Sequence, residues 1–106
     1  MSAIGPLRHL IEIDEPARIS DEGGGAATAW NFVETLWCAI ERLPSFRDGV
    51  GERANHYRRI AATIRWRPGV KLGDRIRFNG EKYLIVSIEA ARDPRRMTLI
   101  GEEVRS

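Results

Sequence analysis

Along the chain, apolar positions recur mostly on a period of two. In RHLIEID (Arg8–Asp14), His9, Ile11 and Ile13 fall on one face and Leu10 on the other, with Pro6 before and Pro16 after; this predicts a first strand. ARISDEGGG follows. Glycine reaches positive φ without steric cost, so Gly23, Gly24 and Gly25 predict the tip of a long hairpin, and Ala26 to Trp30 start the return strand. The segment Trp30–Leu43 fits two periods. On 3.6, Phe32, Val33, Leu36, Trp37 and Ile40 share a helix face; on 2, Leu36, Cys38 and Ile40 share a strand face. Its aromatic content and the glycine-rich turn before it favour a strand from about Thr35 to Arg42.

PSFRDGVGERANH (Pro44–His56) has Pro, Gly and charge with only a faint period, and reads as a long loop with a short helical turn at GERAN. Loops of this length in a compact domain are uncommon and often carry function. In Tyr57–Arg67, Ile60, Ala62, Ile64 and Trp66 face one way, and Arg59, Ala61, Thr63, Arg65 and Arg67 the other, which predicts a half-buried strand with a basic outer face. Pro68-Gly69 is a turn. Asn79-Gly80 is the strongest short hairpin signal and joins RIRF to KYLIVSIE. ARDPRR is a polar turn before a last strand, MTLIGEE. The expected fold is mainly β: one domain, residues 1–106, a small six-stranded barrel or sandwich with a long hairpin and loops and at most a short helix. Trp37, Ile64, Trp66, Phe78, Leu84 and Val86 are its expected core.

Composition narrows the class. At 106 residues, 42% hydrophobic and 30% charged, the chain is too apolar for full disorder, and its apolar runs are far too short for a helix that crosses a bilayer. MSAIGPLRH lacks the basic-then-apolar order of a signal peptide, so a cytosolic protein with no membrane partner is expected. The net charge of +2 excludes the large positive excess of a protein that neutralises many phosphates. The positives are bunched, however, at Arg58-Arg59, Arg65 with Arg67, Arg75 with Arg77, and Arg95-Arg96. Such bunching fits a nearby polyanion, salt bridges between subunits, or solvated strand faces. One cysteine, Cys38, allows no internal disulfide or cysteine-based zinc site, and within LWCAI it reads as a buried, inert thiol.

No catalytic constellation emerges. His9 and His56 belong to no metal or triad spacing, and DEGGG and RDGVGE lack the Lys-Ser/Thr of a phosphate loop. Adjacent acids such as Asp14-Glu15 point to opposite faces of a strand and preform no two-carboxylate site. The expectation is a protein that is not an enzyme and holds no cofactor or metal. The rings alternate with polar residues, a core pattern rather than a base-stacking platform, and no RNP-type motif is present. A small β-barrel module that binds nucleic acid or protein remains the alternative.

Three stretches, IGPLRHLIEIDEPARISDEGGGAATAW, ETLWCAIERL and TIRWRPGVKLGDRIRFNGEKYLIVSIEAARDPRRMTLIGEE, cover nearly the whole chain. In this order they closely resemble the head–tail joining proteins of long-tailed phages, also called head-closure or stopper proteins, and their relatives in gene transfer agents. The pieces that carry the resemblance are LRH, DEGGG before a tryptophan, the step Trp37-Cys38-Ala39, TIRWRPG, GDRI and the glycine hairpin before an aromatic strand. The resemblance implies a small β-barrel whose copies form a ring below the portal or its adaptor ring and above the tail terminator. That ring would retain packaged double-stranded DNA in its lumen and dock the tail, without catalysis or cofactor, in a particle assembled in the host cytoplasm. Beside that resemblance, Phe46, Arg47, Asp48, Arg53 and Arg58 are the expected lumen or ring-contact residues. The hairpin with Gly23, Gly24, Gly25 and Trp30 is expected to touch the neighbouring ring, and Arg65 and Arg67 to form inter-subunit salt bridges.

Overall fold

The inward-pointing residues Ile11, Ile13, Leu36, Cys38, Ile60, Ile64, Ile76, Tyr83, Ile85 and Leu99 are buried against one another inside a closed antiparallel barrel. The structure is a computed structural model, described here over residues 6–20, 26–48 and 55–104. Its strands are β1 (His9–Ser20), β2 (Ala26–Asp48), β3 (Asn55–Arg65), β4 (Arg75–Phe78), β5 (Glu81–Ala90) and β6 (Arg96–Glu103). They run in the order β1-β2-β3-β6-β5-β4, and β4 closes on β1. The mainly β, six-stranded barrel expected from the alternation is the fold observed.

Two turns follow directly from residue type. Asn79 at φ 56° and Gly80 at φ 82° form the two-residue turn that matches the twist of β4 and β5. In Lys71-Leu72-Gly73-Asp74, the Asp74 amide donates to the Lys71 carbonyl at 3.1 Å, and Gly73 takes φ 89° at the third position. The buried Asp74 carboxylate accepts the Lys71 amide at 3.1 Å, so the Gly-Asp step both bends the chain and satisfies the bend.

Three bulges set which residues face inward. Val33 stands between Phe32, opposite Asp14, and Glu34, opposite Ile13. Pro44 and Ser45 face Arg58 alone, since Leu43 pairs with Arg59 and Phe46 with Tyr57. Val86 is the extra residue between Ile85, opposite Gly101, and Ser87, opposite Ile100. A bulge bends its strand. At about 3.3 Å per residue, a straight strand of the length of β2 would reach roughly 75 Å. That exceeds the 50 Å long axis of the molecule, so β2 coils around the barrel through its two bulges.

These details correct several expectations. Residues 44–48 and 55–56 are strand rather than loop, because Pro44 is absorbed at a bulge instead of ending β2; the helical turn expected at GERAN falls on residues 51–54, outside the described residues. Trp37 is 56% exposed: Leu36 and Cys38 hold the inner face of β2, which leaves Trp37 opposite Leu10 on the outer wall. Trp66 lies beyond the end of β3, where the alternation stops, and is 60% exposed. Leu84 and Val86 face outward because Tyr83 and Ile85 face inward, and the Val86 bulge then shifts the inward phase to Ile88. Ile64 is buried, and Phe78 packs against the core as expected.

At one point two backbones approach more closely than any side chain allows. A Cβ on Gly101 would stand 2.9 Å from the Tyr83 Cβ, which has no freedom to swing away. Gly101→Ala is therefore expected to destabilise the barrel by about 2 kcal/mol through overpacking, measured as a shift in the urea midpoint. A neutral result would mean that β5 and β6 separate freely at this pair.

Candidate functional site

Pairing at the two ends of β2 produces two arms. Glu15–Ser20 of β1 and Ala26–Asn31 of β2 pair with each other, whereas the β1–β4 pairing stops at Asp14 and the β2–β3 pairing begins at Ala39. A second ribbon joins Phe46–Asp48 to Asn55–Tyr57, beyond the β3–β6 pairing that begins at Arg59. The ribbons lie at opposite ends of β2, so they leave the barrel at opposite ends.

The root of the first arm is an ionic seam. Glu12-Ile13-Asp14 of β1 runs antiparallel to Arg75-Ile76-Arg77 of β4, so the two Ile side chains meet inside and the charges meet outside. The Asp14 carboxylate is buried and accepts from Arg75 Nε at 2.9 Å and from Arg77 Nε and Nη2 at 2.7 and 3.0 Å. Burial by itself would raise the Asp14 pKa, but the hydrogen bonds and charges of Arg77 and Arg75 outweigh it and hold the carboxyl below its usual range. The Arg75 guanidinium also lies 4.5 Å over the Trp30 ring, which ties the arm to the seam. Lys71 Nζ reaches Glu15 at 3.4 Å on the adjoining residue of β1.

The root of the second arm is a smaller network. Arg58 forms an ion pair with Glu81, and its amide donates to Glu103 Oε1 at 3.4 Å. Glu81 also accepts the buried Tyr83 hydroxyl at 3.2 Å; burial first, and then the Glu81 charge, pushes the Tyr83 pKa up. Arg59 pairs with Glu102 at 3.7 Å.

Of the residues singled out in the sequence, Phe46, Arg47 and Asp48 lie on β2 in register with Tyr57, His56 and Asn55. Gly23, Gly24, Gly25 and Arg53 lie outside the described residues. Trp30 and Arg58 sit at the roots of opposite arms. Arg67 Nη2 is committed within the chain to Glu34 Oε1 at 2.5 Å. Arg65 is exposed, stands opposite Arg96 in the sheet, and lines an open cavity of about 200 Å³ with Asp93, Arg95 and Arg96. The Asp93 carboxylate accepts two hydrogen bonds from the Arg95 guanidinium.

Sequence reasoning missed the Asp14–Arg75–Arg77 seam. The signal was present as the matched alternations Glu-Ile-Asp and Arg-Ile-Arg, two strands that read as complements once run antiparallel. Burial pushes the Cys38 thiol up to about 12, so it carries no thiolate at neutral pH. Among the described residues, no three His, Cys, Asp or Glu side chains come together as a metal site.

The candidate site is thus an arm at each end of a small barrel, each with an ionic network at its root. The profile of the phage head completion protein family matches residues 3–104. The chain belongs to the phage head completion protein family. Solved structures share the fold of this head completion protein. A chain in the virion of a native gene transfer agent particle superposes with a TM-score of 0.75 at 16% identity, covering 96% of this chain and 99% of that one. Protein SF1141 from Shigella flexneri 2a gives 0.65 at 22% identity, with 96% of each chain covered. Protein xkdH of the phage-like element PBSX of Bacillus subtilis gives 0.54 at 12% identity, covering 90% and 92%. No curated protein matches the chain. The head completion protein is a structural component of a phage-type head.

Proposed function

We propose that this head completion protein is a subunit of a head–tail connector. Its copies form a ring that closes the DNA-filled head of a phage or gene transfer agent and docks the tail. The observation that carries this reading is the pair of arms leaving opposite ends of one barrel. A ring of such barrels presents one set of arms to the portal or adaptor ring above and the other to the tail terminator below. The Gly23–Gly25 tip, beyond Trp30, reaches the neighbouring ring. The second arm, with Phe46, Arg47, Asp48 and Arg53 beyond the Arg58 root, faces the lumen or the next ring, and Arg65 contacts the adjacent subunit. The mild net charge of +2 suits a channel through which double-stranded DNA must leave again, since tight phosphate neutralisation would hold it. The role is non-catalytic, and the particle assembles in the host cytoplasm.

The test is electron microscopy of particles from cells lacking the chain. Filled heads that lose their DNA beside unattached tails are the expected result. Intact, filled and tailed particles would overturn the proposal. A free chain whose affinity for DNA fell steeply with salt would point instead to a nucleic-acid-binding module.

A further inference from the structure

The first arm is a two-stranded ribbon with both backbone edges open. Among the described residues, nothing pairs with Glu15–Ser20 on the β4 side of β1, nor with Ala26–Asn31 on the β3 side of β2. Each edge presents a row of ladder donors and acceptors, and an isolated two-stranded ribbon is marginal in water. Pro16 lies in this stretch of β1, and Pro within a sheet is confined to edges, bulges or strand starts, where a ladder donor can be spared.

We infer that the arms of successive copies pair edge to edge, the Ala26–Asn31 edge of one copy against the Glu15–Ser20 edge of the next, to build a continuous antiparallel collar. The inference rests on the ring proposed above and says what holds its copies together. Three observations select a second copy as the occupant. The Glu15–Ser20 edge is matched residue for residue by Ala26–Asn31, the arm part of a β2 edge that stays open up to the β3 pairing at Ala39. β1 and β2 run in opposite directions, so placing the neighbour's β1 beside β2 gives antiparallel pairing while every copy points the same way along the ring axis. A heterologous contact whose rotation closes into a ring leaves neither edge of the arm unused, whereas a strand from a different protein would cover one edge per arm and leave the other bare.

Hydrogen exchange tests this, because successive amides of a strand point alternately to its two sides. In the free chain, alternate amides of Ala26–Asn31 bond to β1 and the others face the open edge. In purified particles the number of slowly exchanging amides in this segment is expected to roughly double. Thr28→Pro and Ala29→Pro form the companion test, since one removes a donor aimed at β1 and the other a donor aimed outward. The variant that leaves the stability of the free chain unchanged is expected to lose its place in the particle. Copy number is counted by microscopy of the same particles. A ring that forms with alternate amides still fast, or with that variant incorporated normally, overturns the collar and leaves the ring standing. The absence of any ring overturns both.

Discussion

Asp14→Ala is expected to cost the barrel about 3 kcal/mol. Breaking a buried ion pair by removing one partner leaves the other charges uncompensated, and such losses run to about 3–5 kcal/mol. Here the loss is doubled in kind, because Arg75 and Arg77 both aim at the same carboxylate and repel each other once it is gone. The Arg77 side chain is about a third exposed, so solvent screens part of that repulsion and the lower end of the range applies. The same carboxylate makes stability depend on pH. Its pKa is lowered in the folded state from an ordinary 3.8, so the unfolded chain takes up a proton first as pH falls. The stabilisation is fully present above the ordinary value and is lost as pH drops through the folded one. Urea midpoints of the native chain should therefore decline in acid, while those of Asp14→Asn stay flatter over the same range. A variant within about 1 kcal/mol of the native chain at neutral pH would mean that the seam relaxes without its anion.

Tyr83→Ala should cost still more, about 4 kcal/mol. Among the described residues Tyr83 is the largest side chain that is wholly enclosed, and it lies against Gly101, whose missing side chain gives β6 nothing to fill the space with. Against a typical stability of about 5–15 kcal/mol, that loss takes the barrel close to unfolding. Tyr83→Phe separates packing from polarity: it keeps the ring, drops the hydrogen bond to Glu81, and is expected to cost about 1 kcal/mol. Calorimetric melting of the pair checks both. A Phe variant as damaged as the Ala variant would place the stabilising term in the hydroxyl rather than in the ring.

Much of the fold could be read from local chemistry. Asn79-Gly80 dictates one turn and Gly73-Asp74 another, and the alternation of Ile11, Ile13, Ile60, Ile64, Tyr83 and Ile85 dictates an inner face. What escaped were facts that a strand settles only with its neighbours. The bulges at Val33 and Val86 depend on the register with β1 and β6, and a bulge reverses the phase of everything beyond it. Trp37 and Leu84 are as apolar as any core residue, and periodicity marks them as belonging to a face without saying which face is inside. Pro44 looked like a terminator because a ladder has no use for it, yet a bulge tolerates it and β2 continues to Asp48. The arms were half legible: the expected return strand from Ala26 announced the first, while the strand character of residues 44–48 and 55–56 comes from pairing across the hairpin rather than from propensity. The seam at Asp14 required two segments far apart in the chain to be laid side by side.

That separation has a kinetic side. The β1–β4 closure is three residue pairs wide and joins Asp14 to Arg75, 61 positions apart. The β4–β5 hairpin, by contrast, closes across two residues. Loop entropy delays pairings that span long stretches of chain, so the seam is expected to close after the folding barrier has been crossed. A substitution at Asp14 then leaves the refolding rate nearly unchanged and accelerates unfolding by almost its full energetic cost. The carboxylate sets how long a closed barrel lasts, which for a component of a stored particle matters more than how fast it forms.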